Sequence, residues 1–294
     1  MLTAQQVTQY HEQGYLVVPD VLTGPRLARI RAVVDELVEA SREVTAHTDV
    51  YDLEDTHTAD QPRVRRIKQP HLRHPELRAV VDDPVVIGIL TDLLGPDIRL
   101  QNTKLNLKAA GFGAAVEWHQ DWAFYPHTND DVLATGFYLD DCGPDNGPLL
   151  VVPGSHRGPT HDHHAEGYFC GAMDPQASGL DVSGAVPLTG RAGSMTIHHV
   201  RMVHGSALNT SDRPRRLLLH EYRAADAWPL MGPGSFEAFN ALMVAGKSTL
   251  EPRIVPAPVR MPLPVALHQG SIYENQRAAG RRYFGVLESR EAGS

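Results

Sequence analysis

The stretch Glu117-Trp118-His119-Gln120-Asp121 sets an imidazole and a carboxylate two residues apart. In extended chain, residues i and i+2 project from the same face, so a nitrogen of His119 and an oxygen of Asp121 can converge on one cation. Such a pair needs a third ligand from elsewhere, and His204, in Met202-Val203-His204-Gly205-Ser206, is the best choice among the 16 histidines. Two histidines and one carboxylate on one face of an octahedral metal leave positions open, an arrangement that suits non-haem Fe(II) and oxygen chemistry. Alone, His-x-Asp is weak evidence, because a polar strand end in a histidine-rich chain gives the same pattern. The surrounding elements and the downstream blocks decide the matter.

The elements that must carry these residues are legible in outline. Thr3 caps a short helix through about Gln13, stopped by Gly14, and Tyr15-Leu16-Val17-Val18 reads as a strand. A second helix starts near Thr23-Gly24-Pro25, with Leu27, Ile30, Val33, Val34, Leu37 and Val38 at helical spacing. Residues 41–62 are polar and unpatterned and read as a mobile loop. Arg63-Val64-Arg65-Arg66-Ile67-Lys68 alternates charge with apolar residues: a solvated edge strand or an anion contact inside a pocket. Leu77 to Leu94 reads as two helical pieces around Pro84.

From Asp97 the period changes to that of strands. Asn102, Lys104, Asn106 and Lys108 fall on one face, with Leu105 and Leu107 on the other. After a turn at Gly111-Phe112-Gly113, the next strand delivers His119 and Asp121. Further strands are expected at Val132–Leu139, Leu149–Val152, Ser194–His198 and Arg216–Tyr222, with 154–181 as loop. Many short strands broken by Gly and Pro indicate a sandwich or barrel rather than a parallel α/β fold. The region from Trp228 onward is proline-rich, with helical hints at Phe236–Met243 and Ser271–Ala279.

At 294 residues the chain suits one domain, read as a helical part at about 1–95, a core at about 97–222 and an extension at about 223–294. A formal charge of -8 and the lack of any long basic block argue against nucleic acid as the main partner. No apolar run is long enough to span a membrane, and no signal-peptide layout opens the chain. Cys142 and Cys170 are too few for a disulfide framework, which fits a reducing, cytoplasmic setting. Oligomeric state is not legible.

Three blocks combine: Trp118-His119-Gln120-Asp121; Asn146-Gly147-Pro148-Leu149-Leu150-Val151-Val152-Pro153-Gly154-Ser155-His156; and His204-Gly205-Ser206 with Pro214-Arg215. Together they resemble the phytanoyl-CoA dioxygenase family of Fe(II)- and 2-oxoglutarate-dependent oxygenases, and Gly14-Tyr15-Leu16-Val17-Val18 resembles that family's first segment. The resemblance runs from about Leu2 to Tyr222. It implies a mainly β fold with flanking helices, a double-stranded β-helix (jelly roll, cupin-like). It also implies Fe(II), 2-oxoglutarate and O2 as cofactor and cosubstrates, with oxidation of a small molecule and release of succinate and CO2.

Position by position, the resemblance implies His119, Asp121 and His204 as iron ligands and Arg215 as partner of the far carboxylate of 2-oxoglutarate. A guanidinium fork makes two parallel charge-assisted bonds to one carboxylate. Arg216 is the rival by proximity, placed on the opposite face by alternation. Ser206 and Asn106 resemble cosubstrate contacts, and an upstream basic contact falls to Arg66 or Lys68, left open. Gln101, Trp122, Phe124 and Tyr125 occupy positions expected to face the substrate. The segment after Asp121 departs from the ectoine-hydroxylase signature, and Gly136 stands where some animal members carry an aromatic residue. Retention of Asp121 implies hydroxylation or another oxidation rather than halogenation.

Other features invite over-reading. His161-Asp162-His163-His164 reads as an exposed loop rather than a second metal site, and His156 as a turn residue. Of His198 and His199, one faces the cavity. Asp140 and Asp141 read as turn-forming. Two rival functions stay open at this level: a zinc-dependent hydrolase using the same triad, which gives Arg215 no role, and a non-catalytic jelly roll that binds a metal or small ligand. The substrate inclines toward specialised metabolism or a small acid over a CoA ester, because no second basic cluster is present.

Overall fold

In the computed structural model, residues 1–111 and 113–284 are described; Phe112 of the expected turn and residues 285–294 of the extension lie outside them. Thr3 and Gln6 form a reciprocal capping box that opens α1 (Ala4–Gln13), and Gly14, at φ 82°, closes it. There β1 (Tyr15–Val18) begins, and a Cβ at Gly14 would strike Met202 and His156. Next come α2 (Gly24–Ala40), β2 (Tyr51–Leu53) and β3 (Val64–Lys68). Pro75 and Pro84 each sit in a first helical turn, opening α3 (Pro75–Val81) and α4 (Pro84–Leu94). The Asp83 carboxylate separates the two by accepting from the amides of Val85 and Val86. The strands β4 (Ile98–Lys108), β5 (Val116–His119), β6 (Val132–Tyr138) and β7 (Leu149–Val151) follow. Then come β8 (His164–Ala165), β9 (Tyr168–Phe169), β10 (Val186–Leu188), β11 (Met195–His199), β12 (His204–Ser206) and β13 (Arg215–Ala224). The last elements are α5 (Phe236–Ala241), β14 (Met243–Ala245) and α6 (Ile272–Asn275).

Two sheets result. The larger runs β1-β11-β6-β13-β4-β3-β2, with β14 added to β4; the smaller runs β10-β7-β12-β5. All of their pairings are antiparallel. One face of the larger sheet packs on the helices: Ile30 and Val34 of α2, Leu77, Val80 and Val81 of α3 and Val86 and Leu90 of α4 meet Leu105, Phe137, Ile197 and Leu218. Each such side chain, fully buried, contributes roughly 1.5–3 kcal/mol. The helices therefore hold the sheet from behind and leave its other face for the smaller sheet and the site.

Some expectations are corrected. Residues 41–62 are not one loop: Tyr51 and Leu53 pair β2 with β3, and the buried Asp52 meets Lys68 at 2.8 Å. A three-residue strand is too short to show a period. The Arg63–Lys68 strand is no solvated edge, since β3 lies between β2 and β4. Within 154–181 the chain forms the β8–β9 hairpin, and β10 and β12 add strands too short for their pattern to stand out.

Candidate metal and cosubstrate site

His119 ends β5 and Gln120 keeps extended backbone (φ -121°, ψ 128°), so Asp121 returns to the same face although a 3-10 turn starts there. His204 is the direct cross-strand neighbour of His119 in the β12–β5 pair. The outcome is a compact donor set. Nε2 of His119 and of His204 lie 3.6 and 3.9 Å from Asp121 Oδ1, and one ligand atom from each residue falls within 4.8 Å of the others. All three residues are buried.

The imidazoles are oriented by the backbone. His119 Nδ1 lies 2.8 Å from the Glu117 carbonyl and His204 Nδ1 lies 2.9 Å from the Met202 carbonyl. Donation to these carbonyls fixes the tautomer that leaves Nε2 as a free acceptor for a metal. Burial pushes the Asp121 carboxyl up, but His204, His119 and His198 outweigh it and hold the group well below the usual carboxylate range. Burial, with His119 beside it, keeps His204 neutral by holding its pKa well below normal. Two imidazole nitrogens and a carboxylate form a set that fits Fe(II). His198 Nε2 lies 3.4 Å from Asp121 Oδ2, the oxygen turned away from the two ligand histidines.

Gln120, fully buried between the ligands, has every polar group engaged. Its amide N–H donates to His163 Nε2 (2.9 Å), its side chain donates to the carbonyls of Pro159 and Arg201, and its Oε1 accepts from His161. The expectation that 161–164 is simply an exposed loop is therefore corrected at His163, which is 1 % exposed. Its fellow His164 pairs with Asp162 at the surface.

Beyond the triad, a cavity lies between the sheets. Its walls carry Arg66, Lys104, Asn106, Lys108, His198, Ser206 and Arg215, together with Ile272 and Tyr273. Cross-strand register aligns the far end: Arg215 lies opposite Lys108, and Asn106 lies between Leu217 and Arg66. Arg215 is 2 % exposed and donates from Nε and Nη2 to the Gly147 carbonyl (3.1 and 2.6 Å), while its Nη1 is buried with no partner among the described residues. A buried guanidinium nitrogen aimed at nothing is costly, and it fits the distal carboxylate of 2-oxoglutarate. Arg216 faces outward to Asp140 and Asp35. Lys108, which the sequence placed only on a polar face, donates to Ser206 Oγ at 3.0 Å and to the Ala207 carbonyl. Burial, then Arg215, pushes its pKa well below the ordinary lysine value.

Between the basic residues left open, Arg66 lines the cavity and donates to Asn106 Oδ1 at 3.1 Å, whereas Lys68 turns to Asp52 and the Thr48 carbonyl. The four residues expected to face substrate do not behave alike. Trp122 is fully buried in a separate cluster with Val132 and Val200 and donates its indole N–H to the Pro258 carbonyl, off the cavity wall. Gln101 is taken up by Arg223 and also lies off that wall. Phe124 packs edge-on against His119 and Phe169, with ring centroids 6.0 and 5.0 Å away. Tyr125 is set beside Asp121 and Glu221; burial, then those carboxylates, raises its phenol well above the usual value. Ile272 and Tyr273 went unnoticed because they follow a long proline-rich coil with no periodic signal.

The profile of the family described as phytanoyl-CoA dioxygenase (PhyH) matches residues 10–217. A probable alpha-ketoglutarate-dependent hypophosphite dioxygenase of Stutzerimonas stutzeri is 38 % identical over 285 residues, covering 96 % of this chain and 99 % of that protein. An L-proline trans-4-hydroxylase of Streptomyces griseoviridis is 29 % identical, covering 75 % of this chain and 86 % of its own length. Among solved structures, the non-heme alpha ketoglutarate dependent carbocyclase SnoK from nogalamycin biosynthesis superposes with a TM-score of 0.62 at 26 % identity, covering 81 % of this chain and 90 % of that one.

Proposed function

The chain belongs to the phytanoyl-CoA dioxygenase family and is an Fe(II)- and 2-oxoglutarate-dependent dioxygenase on a double-stranded β-helix, and from that premise we propose its ligand assignments and its substrate. His119, Asp121 and His204 hold the iron. Arg215 anchors the far carboxylate of 2-oxoglutarate, supported by Ser206, Asn106 and Arg66. The primary substrate is a small singly charged oxyanion of the hypophosphite type. The residues 1–294 act as one oxygenase domain, in a cytoplasmic setting that accords with two buried free cysteines. Among the described residues no helix is long and apolar enough to cross a membrane.

The observation that carries the substrate assignment is the end-to-end likeness to the hypophosphite dioxygenase, which extends past the stretch matched by the family profile. The electrostatics of the cavity agree with it. On its wall Arg66, Lys104 and Arg215 are cationic and Asp121 is anionic, while Glu221, off that wall, pairs with Lys104 at 2.7 Å and offsets its charge. With a ferrous ion and dianionic 2-oxoglutarate in place, one positive charge is left over, and a monoanion neutralises it. Lys108, held toward its neutral form by burial and Arg215, leaves that balance unchanged.

Iron with 2-oxoglutarate supplies the activation of O2, one oxygen atom going to succinate as CO2 leaves and the other to the substrate. The chain's own part is positioning. The backbone carbonyls of Glu117 and Met202 aim the imidazoles, and His198 holds the outward oxygen of Asp121. The apolar wall of Leu149, Leu217 and Leu219 limits water. For hypophosphite the balance is one P–H bond converted to P–OH, giving phosphite, succinate and CO2. The test follows phosphite by phosphorus NMR and succinate by chromatography. Hypophosphite should stimulate succinate release with one phosphite per succinate. Background succinate with hypophosphite, alongside stimulation by L-proline, would overturn the substrate assignment.

A further inference from the structure

We propose that Tyr273 is a further 2-oxoglutarate-binding residue, its hydroxyl completing the donor set around the far carboxylate and its ring closing that end of the pocket. The inference rests on the assignment of Arg215 and adds a residue from beyond the 10–217 stretch that the family profile matches.

Four observations carry it. Tyr273 lines the same cavity as Arg215, Ser206 and Arg66. Its ring lies against two guanidinium groups of β3, with the carbons of Arg65 and Arg66 at 5.0 and 5.2 Å from the ring centroid. Arg66 is the same side chain that donates to Asn106, so the ring also steadies a second wall of the pocket. Although the residue is 8 % exposed, its hydroxyl has no hydrogen-bond partner among the described residues. Burial raises its pKa, so at neutral pH it is a proton-bearing donor beside Arg66 and Arg215.

The segment bearing Tyr273 is fastened rather than merely adjacent. Ser271 and Glu274 form a capping box, and Glu274 meets Arg65 at 3.4 Å. Gln276 Oε1 accepts from the Glu117 amide at 2.9 Å, and its Nε2 donates to the Gly171 carbonyl at 3.1 Å. The Tyr283 amide donates to Glu117 Oε2 at 2.8 Å, and Phe284 packs on Trp118 with centroids 5.0 Å apart. Three of these anchors lie on the strand that ends in His119. The wall at the cosubstrate's far end is thus tied to the strand that presents the metal at its near end. A wall so held sets the length of diacid that fits.

The experiment measures binding of 2-oxoglutarate and of 2-oxoadipate, one methylene longer, by calorimetry on the Mn(II)-loaded full chain without turnover. Tyr273→Phe should weaken 2-oxoglutarate binding about tenfold, the size of one hydrogen bond to a charged group. Tyr273→Ala should narrow the preference for 2-oxoglutarate over 2-oxoadipate by about tenfold or more. Wild-type affinity in Tyr273→Phe overturns the inference, whatever Tyr273→Ala does, and if the alanine variant does not fold the phenylalanine variant alone decides. Arg215→Met serves as the reference. If it binds 2-oxoglutarate like wild type, the Arg215 assignment fails and this inference with it. If it loses binding while both Tyr273 variants bind normally, only the inference falls.

Discussion

Arg215→Met separates a binding arginine from a structural one. The guanidinium is buried, bonded to one carbonyl and left with Nη1 unpartnered among the described residues, beside Lys108. Methionine matches much of its length and removes the buried charge with its orphaned donor, so the melting temperature of the ligand-free protein should hold or rise. Binding should behave oppositely. Two charge-assisted hydrogen bonds, at about 1.5 kcal/mol or more each, amount to about 3–4 kcal/mol, or a loss of roughly 10²–10³-fold in affinity. The assay is a thermal melt with and without 2-oxoglutarate in the presence of Mn(II). A ligand at a hundredfold its Kd stabilises the wild type by about 2.7 kcal/mol, which for a chain of this size is a shift of roughly 5–10 °C. In Arg215→Met that shift should vanish at the same concentration. A variant that keeps the full shift, or whose ligand-free form melts many degrees lower, refutes the reasoning.

Other outcomes follow from the same geometry. Anaerobic addition of Fe(II) and 2-oxoglutarate should give a weak visible charge-transfer band that Asp121→Ala abolishes; persistence of the band in that variant would move the metal elsewhere. Burial, then Arg223, pushes His127 down to about 3, and burial does the same to His220. Their folded-state values lie below the unfolded one, so stability is intact above about pH 6.5 and falls toward pH 3, by about 1.4 kcal/mol per pH unit for each imidazole. His220→Leu should flatten the acid limb of a denaturation profile, and an unchanged slope would count against a neutral buried ring. A Cβ at Gly205 would lie 2.7 Å from Phe284 and 3.0 Å from the Val116 carbonyl, so Gly205→Ala should dislodge Phe284 and shift Trp118 emission to longer wavelength. Unaltered emission would mean that the contact yields freely.

What could be read from the sequence was what depends on neighbours along the chain. His119 and Asp121 share a face because Gln120 is extended, and Arg215 and Arg216 diverge because β13 alternates. The errors arise where that alternation breaks. At the bulge that sets Glu221 against Asn102 but Tyr222 against Leu100, Gln101 is taken up by Arg223 and stays off the cavity wall. The 3-10 turn at Asp121–Ala123 rotates Trp122 into a core of its own. Ile272 and Tyr273 line the cavity, Tyr273 against β3, and Gln276 ties their segment to β5; no local pattern encodes such distant partners. The polar face of β4 signalled a cavity, yet only register with β3 could choose Arg66 over Lys68.

Gln120 has one more consequence. The bonds that fix it, and those from Glu117 and Met202 to the ligand imidazoles, are all contacts of protein with protein. The cradle is accordingly rigid toward whichever divalent ion enters, and nickel or cobalt should occupy it at least as tightly as ferrous iron, following the order of intrinsic affinities. Discrimination between productive and inert ions then belongs to the cell's supply of metals rather than to this polypeptide.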